Sequence, residues 1–151
     1  MESMKTLGQK RAHECKIKAQ AYKLWLQTLW PANIILVTGA ALLSLIAGSS
    51  LLIKQNILDP RVAGILAIVS AAFTIVHTKL NCDQHQAECR KLKNQYSALA
   101  NAYDELDVLT GEAEFKTKLT ALNMELSQII KSTTSEPSNK AMAKAKQQLS
   151  V

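Results

Sequence analysis

The sequence predicts an all-α membrane protein. Its centre is a two-helix transmembrane hairpin, with an amphipathic helix before it and a cytoplasmic helical hairpin or coiled coil after it. Three observations predict this. Pro31–Ile53 and Val62–Thr78 contain no Asp, Glu, Lys or Arg. A polar break, Lys54–Arg61, separates the two blocks. Beyond them, apolar residues recur at alternating steps of three and four, the signature of a helical seam. The overall content, 48% hydrophobic and 20% charged, is ordinary for a soluble chain, so the distribution carries the signal. With 151 residues, one domain is expected, and it has little room to bury two such helices on every side. The apolar fraction argues against disorder. The three cysteines are too few for a disulfide scaffold.

Segment 1–30 reads as a cytoplasmic amphipathic helix. Ala12, Cys15, Ala19, Tyr22, Leu26 and Leu29 share one face, and Lys16, Lys18 and Lys23 lie opposite. Such a helix can lie on an anionic membrane surface or pack on the helix that follows the second span, and the second is expected. Its length and polarity do not read as a signal peptide, and Glu2 at position 2 and the absence of a C-terminal Cys give no lipidation signal.

The transmembrane hairpin is expected over 31–80, with spans at 31–53 and 62–80. The first is roughly 34 Å long as a helix, enough for a hydrocarbon core of about 30 Å. Pro31 suits a first helical position, and Trp25 and Trp30 suit an interfacial belt. Asp59-Pro60 is a stop signal. Each span carries a stripe of small residues, Ala40, Ser44 and Gly48 on one and Ala63, Ala67 and Ala71 on the other. Helices associate in lipid through such residues. The stripes either close the hairpin within one chain or pack against a neighbouring subunit. Thr38, Ser44, Ser49, Ser50, Ser70 and Thr74 either hydrate a lumen or bond to their own backbones. His77 is an ionisable residue near a span end, a functional or merely interfacial position. Asn33 invites the same two readings.

The cytoplasmic hairpin is expected over 81–131. Cys82, His85, Cys89, Leu92, Tyr96, Leu99, Tyr103 and Leu106 form a seam on one long helix, expected to continue the second span. Thr110-Gly111 breaks it, and Phe115, Leu119, Leu122, Leu126 and Ile129 restart it. Residues 132–151 are a linker and a short basic tail helix, Lys140–Leu149.

The net charge is +6, but no nucleic-acid-binding motif accompanies it and no nucleic-acid partner is expected. Arg11, Lys16, Lys18 and Lys23 precede the spans, and Lys79, Arg90, Lys91 and Lys93 follow them, against Lys54 and Arg61 between. The positive-inside rule then puts both termini in the cytoplasm of a bacterial inner membrane. Cys82, His85 and Cys89 could face one metal, yet their spacing is unlike zinc motifs, and seam packing is the preferred reading. No metal, cofactor or catalytic residue is assigned. No nucleophile–base pair, phosphate loop or carboxylate pair supports an enzyme.

The layout resembles the SLATT families, two-transmembrane effector domains associated with SMODS nucleotidyltransferases and SLOG proteins in bacterial conflict systems. The residues carrying the resemblance are Trp30-Pro31 at the first span, His85-Gln86-Ala87, Tyr96-Ser97-Ala98-Leu99, and Glu136-Pro137-Ser138 before a Lys/Ala-rich segment. It covers roughly residues 10–150. It implies a homo-oligomeric pore in the lipid bilayer that kills or arrests the cell when a sensor or nucleotide-signalling partner is triggered. The chain carries no sensor or nucleotidyltransferase domain of its own, so a trigger would come from a partner or from its cytoplasmic helices. Two other readings stand beside it: a non-pore membrane scaffold recruiting a soluble partner through its seam, and a phage holin. Unchanged membrane potential on expression would point to the scaffold, and a neighbouring endolysin gene to the holin.

Overall fold

A computed structural model describes residues 2–52, 59–79 and 81–150. The chain is 91% helix, with no strand among the described residues. The elements are α1 (Glu2–Leu52), α2 (Pro60–Lys79), α3 (Cys82–Glu105), a single 3₁₀ turn (Leu106–Val108), α4 (Glu112–Ser132) and α5 (Asn139–Leu149). They form two compact units, Thr28–Gln86 and Met1–Gln27 with Ala87–Val151.

Two boundaries differ from expectation, for local reasons. Pro31 does not open a helix: it lies inside α1, which runs unbroken from the N-terminal segment into the first apolar block. A proline opens a helix when a capping side chain precedes it, and Trp30 offers none. Pro60 shows the contrast. Asp59 precedes it, the Asp59 carboxylate accepts a hydrogen bond from Arg61 N (2.8 Å), and the Asp59 carbonyl accepts from Ala63 N (3.1 Å). α2 therefore starts at Pro60. The second correction concerns α3, which does not continue α2. Asn81 adopts φ 44°, a left-handed conformation that asparagine tolerates better than most residues, and α3 starts afresh at Cys82. The expected turn at residues 54–58, the end of the first span at Ile53 and the end of the second at Leu80 lie outside the described residues.

In the unit Thr28–Gln86, α1 and α2 meet along small side chains. Ala40, Ala47, Ala63 and Ser70 are buried. The Ser70 hydroxyl donates across to the Ala40 carbonyl at 2.7 Å. A Cβ placed on Gly39 would stand 3.3 Å from the Phe73 ring, so glycine is what allows that approach. The large apolar residues of the same helices point the other way. Ile35, Leu45, Ile65, Ile68 and Ile75 are 59–71% exposed. Both helices are long and apolar enough to cross a membrane, and α2 spans about 30 Å at 1.5 Å per residue, one hydrocarbon thickness. A core helix of a soluble protein would be mostly buried, yet from Pro31 to Ser50 of α1 only Ala40 and Ala47 are, and only 11% of the most apolar stretch of the second candidate span, which begins at Pro60.

The other unit has a conventional core. From α1 it buries Ala12, Cys15, Ala19 and Tyr22; from α3, Cys89, Leu92, Tyr96, Leu99 and Tyr103; from α4, Phe115, Leu119, Leu126 and Ile129; from α5, Ala141 and Ala145. The apolar face of the N-terminal segment thus packs on α3. Tyr22 stacks on Tyr96 (centroids 5.9 Å apart, 14° between planes), and Lys16 pairs with Asp104 at 2.7 Å. Gly111 is the N-cap of α4. The Ser138 hydroxyl accepts from Ala141 N (3.3 Å) and opens α5.

Candidate functional site

The two small-residue stripes part company in the structure. A helix turns through 3.6 residues, so each four-residue step advances about 40° around the axis. A stripe at i, i+4, i+8 therefore starts on one face and slides off it. Ala40 and Ala63 lie in the buried contact between α1 and α2, whereas Ser44, Gly48, Ala67 and Ala71 are exposed. The residues that leave the contact line a groove of about 690 Å³ together with Ala47, Ala63, Gly64, Ser70 and Thr74. A Cβ added to Gly48 or Gly64 would meet nothing within 4 Å. Gly39 serves the contact inside the chain; Gly48 and Gly64 leave open space on the groove.

The hydroxyls divide in a similar way. Ser49 and Ser50 donate to carbonyls three residues back (3.1 and 2.8 Å), and Thr74 donates to Ser70 O (3.1 Å). These satisfy their own helices, one of the two roles open to them in the sequence. Ser70 instead ties α2 to α1 while forming part of the groove wall.

His77 sits at a second feature. Asp83, which the sequence reading passed over, accepts a hydrogen bond from Asn33 Nδ2 at 2.8 Å, and its other oxygen is 3.7 Å from His77 Nε2. Asn33 Oδ1 and His77 Nε2 are shut away from solvent without a hydrogen-bond partner among the described residues. Three helices thus bring one side chain each to a polar cluster at the Lys79 end of α2. Cys82 and His85 line an adjoining cavity of about 380 Å³ with Leu29, Ala32, Asn33, Leu36 and Gln86, where Gln86 Nε2 donates to Leu29 O (3.2 Å).

The cysteine chemistry is quiet. Among the described residues no three His, Cys, Asp or Glu side chains gather as a metal site would require, and Cys15, Cys82 and Cys89 form no disulfide. Burial pushes the Cys15 thiol up to about 11, with Glu14 adding to the shift. Burial also pushes Cys89 to about 11, helped by Glu88. Thiols that hold their protons so firmly make poor nucleophiles and poor metal ligands. The seam residues Leu92, Tyr96, Leu99, Tyr103 and Leu106 are buried against their own chain. Burial raises the Tyr103 hydroxyl to about 12, and it donates to Asn123 Oδ1 at 2.9 Å. Tyr22, also raised by burial, donates to the Ser135 carbonyl at 2.8 Å.

Glu88 is a contact that spacing does not reveal. Its carboxylate accepts from Thr134 N and Thr134 Oγ1 (3.2 and 2.7 Å) and from the Ser135 hydroxyl. These bonds hold it below the usual carboxylate range and pin the linker between α4 and α5. Glu88 reads in sequence as any surface acid on a seam helix. No family model, curated protein or solved structure matches the chain.

Proposed function

We propose that this chain is a membrane effector of a bacterial conflict system, a member of the SLATT group it resembles, whose transmembrane hairpins assemble into a pore. The observation that carries the proposal is the groove. Both apolar helices expose large side chains that only lipid would welcome, yet one strip of their surface is lined by Ser44, Gly48, Gly64, Ala67 and Ala71. Lipid contact asks for no small residues; close approach of another helix does. Two spans cannot enclose a water path alone, so a pore needs several copies. Ser44, exposed on the groove, supplies a hydroxyl for a hydrated wall. The action proposed needs no catalysis.

The flanking Lys and Arg residues support a cytoplasmic position for both termini in the inner membrane. In this reading the helices outside the membrane respond to a sensor or nucleotide-signalling partner and hold the spans apart until then. The scaffold alternative is weakened by the seam: residues that would recruit a partner are spent inside the chain.

Membrane potential in bacteria expressing the full chain, read with a voltage-sensitive dye, tests the proposal. Rapid depolarisation is expected, abolished by Gly48→Leu or Ala67→Leu with protein levels in the membrane unchanged. Full depolarisation by both variants would overturn the groove as the assembly surface. Intact potential with the parent chain, even beside its genomic neighbours, would overturn the pore.

A further inference from the structure

The unit Met1–Gln27 with Ala87–Val151 carries a cleft whose polar groups the packing engages only in part. It lies between α1 and α3, holds about 400 Å³, and ends at Leu149 of α5. Its floor is concave because Ala19 and Ala100 contribute only methyl groups there. Its walls are basic. Lys16, Gln20 and Lys23 follow one another on α1 at steps of four and three, which puts them on one face. Lys93, Ser97 and Asn101 do the same on α3 at steps of four. Three ammonium groups, two amides and a hydroxyl line the cleft, and no carboxylate does. Lys16 is partly neutralised by Asp104, whereas Lys23 and Lys93 form no ion pair among the described residues.

We propose that this cleft binds a multivalent phosphate-bearing anion. The donor set points to phosphate. Lysine ammonium groups bind phosphate as point charges, and three of them beside amide and hydroxyl donors, with no carboxylate in the lining, suit a multiply charged oxyanion. The size points to more than one phosphate. Lys16 and Lys23 stand seven residues apart, about 10 Å along the helix axis, so the cleft presents its positive charge over a span longer than one phosphate group. Gln20 also donates to Gln148 Oε1 at 2.8 Å, so α5 sits where it would feel an occupant. The phosphoryl group belongs either to a free ligand or to a lipid headgroup. The inference stands apart from the proposed pore, because it concerns binding alone.

The test uses the full chain in phosphatidylcholine nanodiscs and sodium tripolyphosphate as the probe, followed by isothermal titration calorimetry at constant ionic strength. Saturable binding is expected. Joint replacement Lys23→Gln and Lys93→Gln should weaken it about tenfold or more, a factor worth about 1.4 kcal/mol. Joint replacement Lys116→Gln and Lys144→Gln, the same charge change outside the cleft, should leave it within about twofold. Lys23→Arg with Lys93→Arg should retain most of the affinity, which separates charge from packing. Equal weakening by the two glutamine pairs would overturn the cleft in favour of diffuse attraction, and absence of saturable binding by the parent chain would overturn it outright. Adding phosphatidylserine to the nanodiscs separates the sources: competition in the parent assigns the phosphoryl group to a lipid, and none assigns it to a free ligand, both in support of the site.

Discussion

The two units solve the same packing problem with opposite side chains. In Thr28–Gln86 the positions buried between α1 and α2 are Ala40, Ala47, Ala63 and Ser70, and large isoleucines and leucines such as Ile35, Leu45, Ile65 and Ile68 face out. In the other unit the buried positions are Leu92, Tyr96, Leu99, Tyr103 and Phe115, and the charges face out. Both sets follow a helical seam. With the apolar helices in a bilayer, as proposed above, the difference lies in the solvent that each seam excludes. Water drives bulky apolar groups inward at about 25 cal/mol per Å², so a water-facing unit gains by burying tyrosine, leucine and phenylalanine. Lipid gives no such drive, and what remains is close approach and the hydrogen bond, which small residues permit.

The comparison breaks first at the bulky core. Phe115→Ala should destabilise its unit by about 3–5 kcal/mol, seen as a lowered urea midpoint by circular dichroism of the chain in detergent. A loss below about 1 kcal/mol would mean that this unit does not rest on its apolar core. The same core should be sensitive to alkali. Cys15 and Cys89 are raised from an ordinary 9.0 to about 11, and Tyr103 from 10.0 to about 12. A raised folded-state value contributes stability in full below the unfolded value and loses it as pH climbs through the folded one. The urea midpoint should hold to about pH 9 and then decline steadily toward pH 11. Replacing Cys15 with Ala should flatten part of that decline.

The small-residue contact breaks by the opposite change. Gly39→Leu drives a side chain into Phe73 and should cost about 1–3 kcal/mol as overpacking, read by resistance of helix content to sodium dodecyl sulfate. Gly48→Leu should leave that resistance within about 0.5 kcal/mol, since nothing stands within 4 Å of its Cβ direction. Equal losses would erase the distinction between the inner contact and the groove. The finest test is Ser70→Ala. It removes one interhelical hydrogen bond, worth about 0.6 kcal/mol among membrane helices, and should register as a small shift in the same titration.

Much of this was legible in the residues. The three-and-four spacing from Cys89 to Leu106 and from Phe115 to Ile129 names the buried faces of α3 and α4, and the face of Ala12, Cys15, Ala19 and Tyr22 names its partner. Thr110-Gly111 and the Ser-rich run before Ser138 mark the breaks. Other features depend on neighbours in space. Asn81 is one residue in a left-handed turn, with no flanking Gly or Pro to announce it. Pro31 looks like a helix start until the absence of a cap before it is weighed. The stripes of small residues could be found by spacing, but the division into buried and exposed members needs the angle at which α1 and α2 meet. The basic cleft had its signal in Lys16-Gln20-Lys23 and Lys93-Ser97-Asn101. It went unread because each lysine alone resembles a solvated face.

One consequence of the open space at Gly48 is genetic. A residue whose enlargement leaves the fold undisturbed but obstructs a surface produces a chain that is made, inserted and retained in normal amounts. If copies join through that surface, each altered chain keeps its remaining surfaces intact and can still enter a growing ring, where it ends the chain of additions. Alleles with Leu at Gly48 would then be dominant over the parent, with rescue of the cell rising more steeply than the fraction of altered copies.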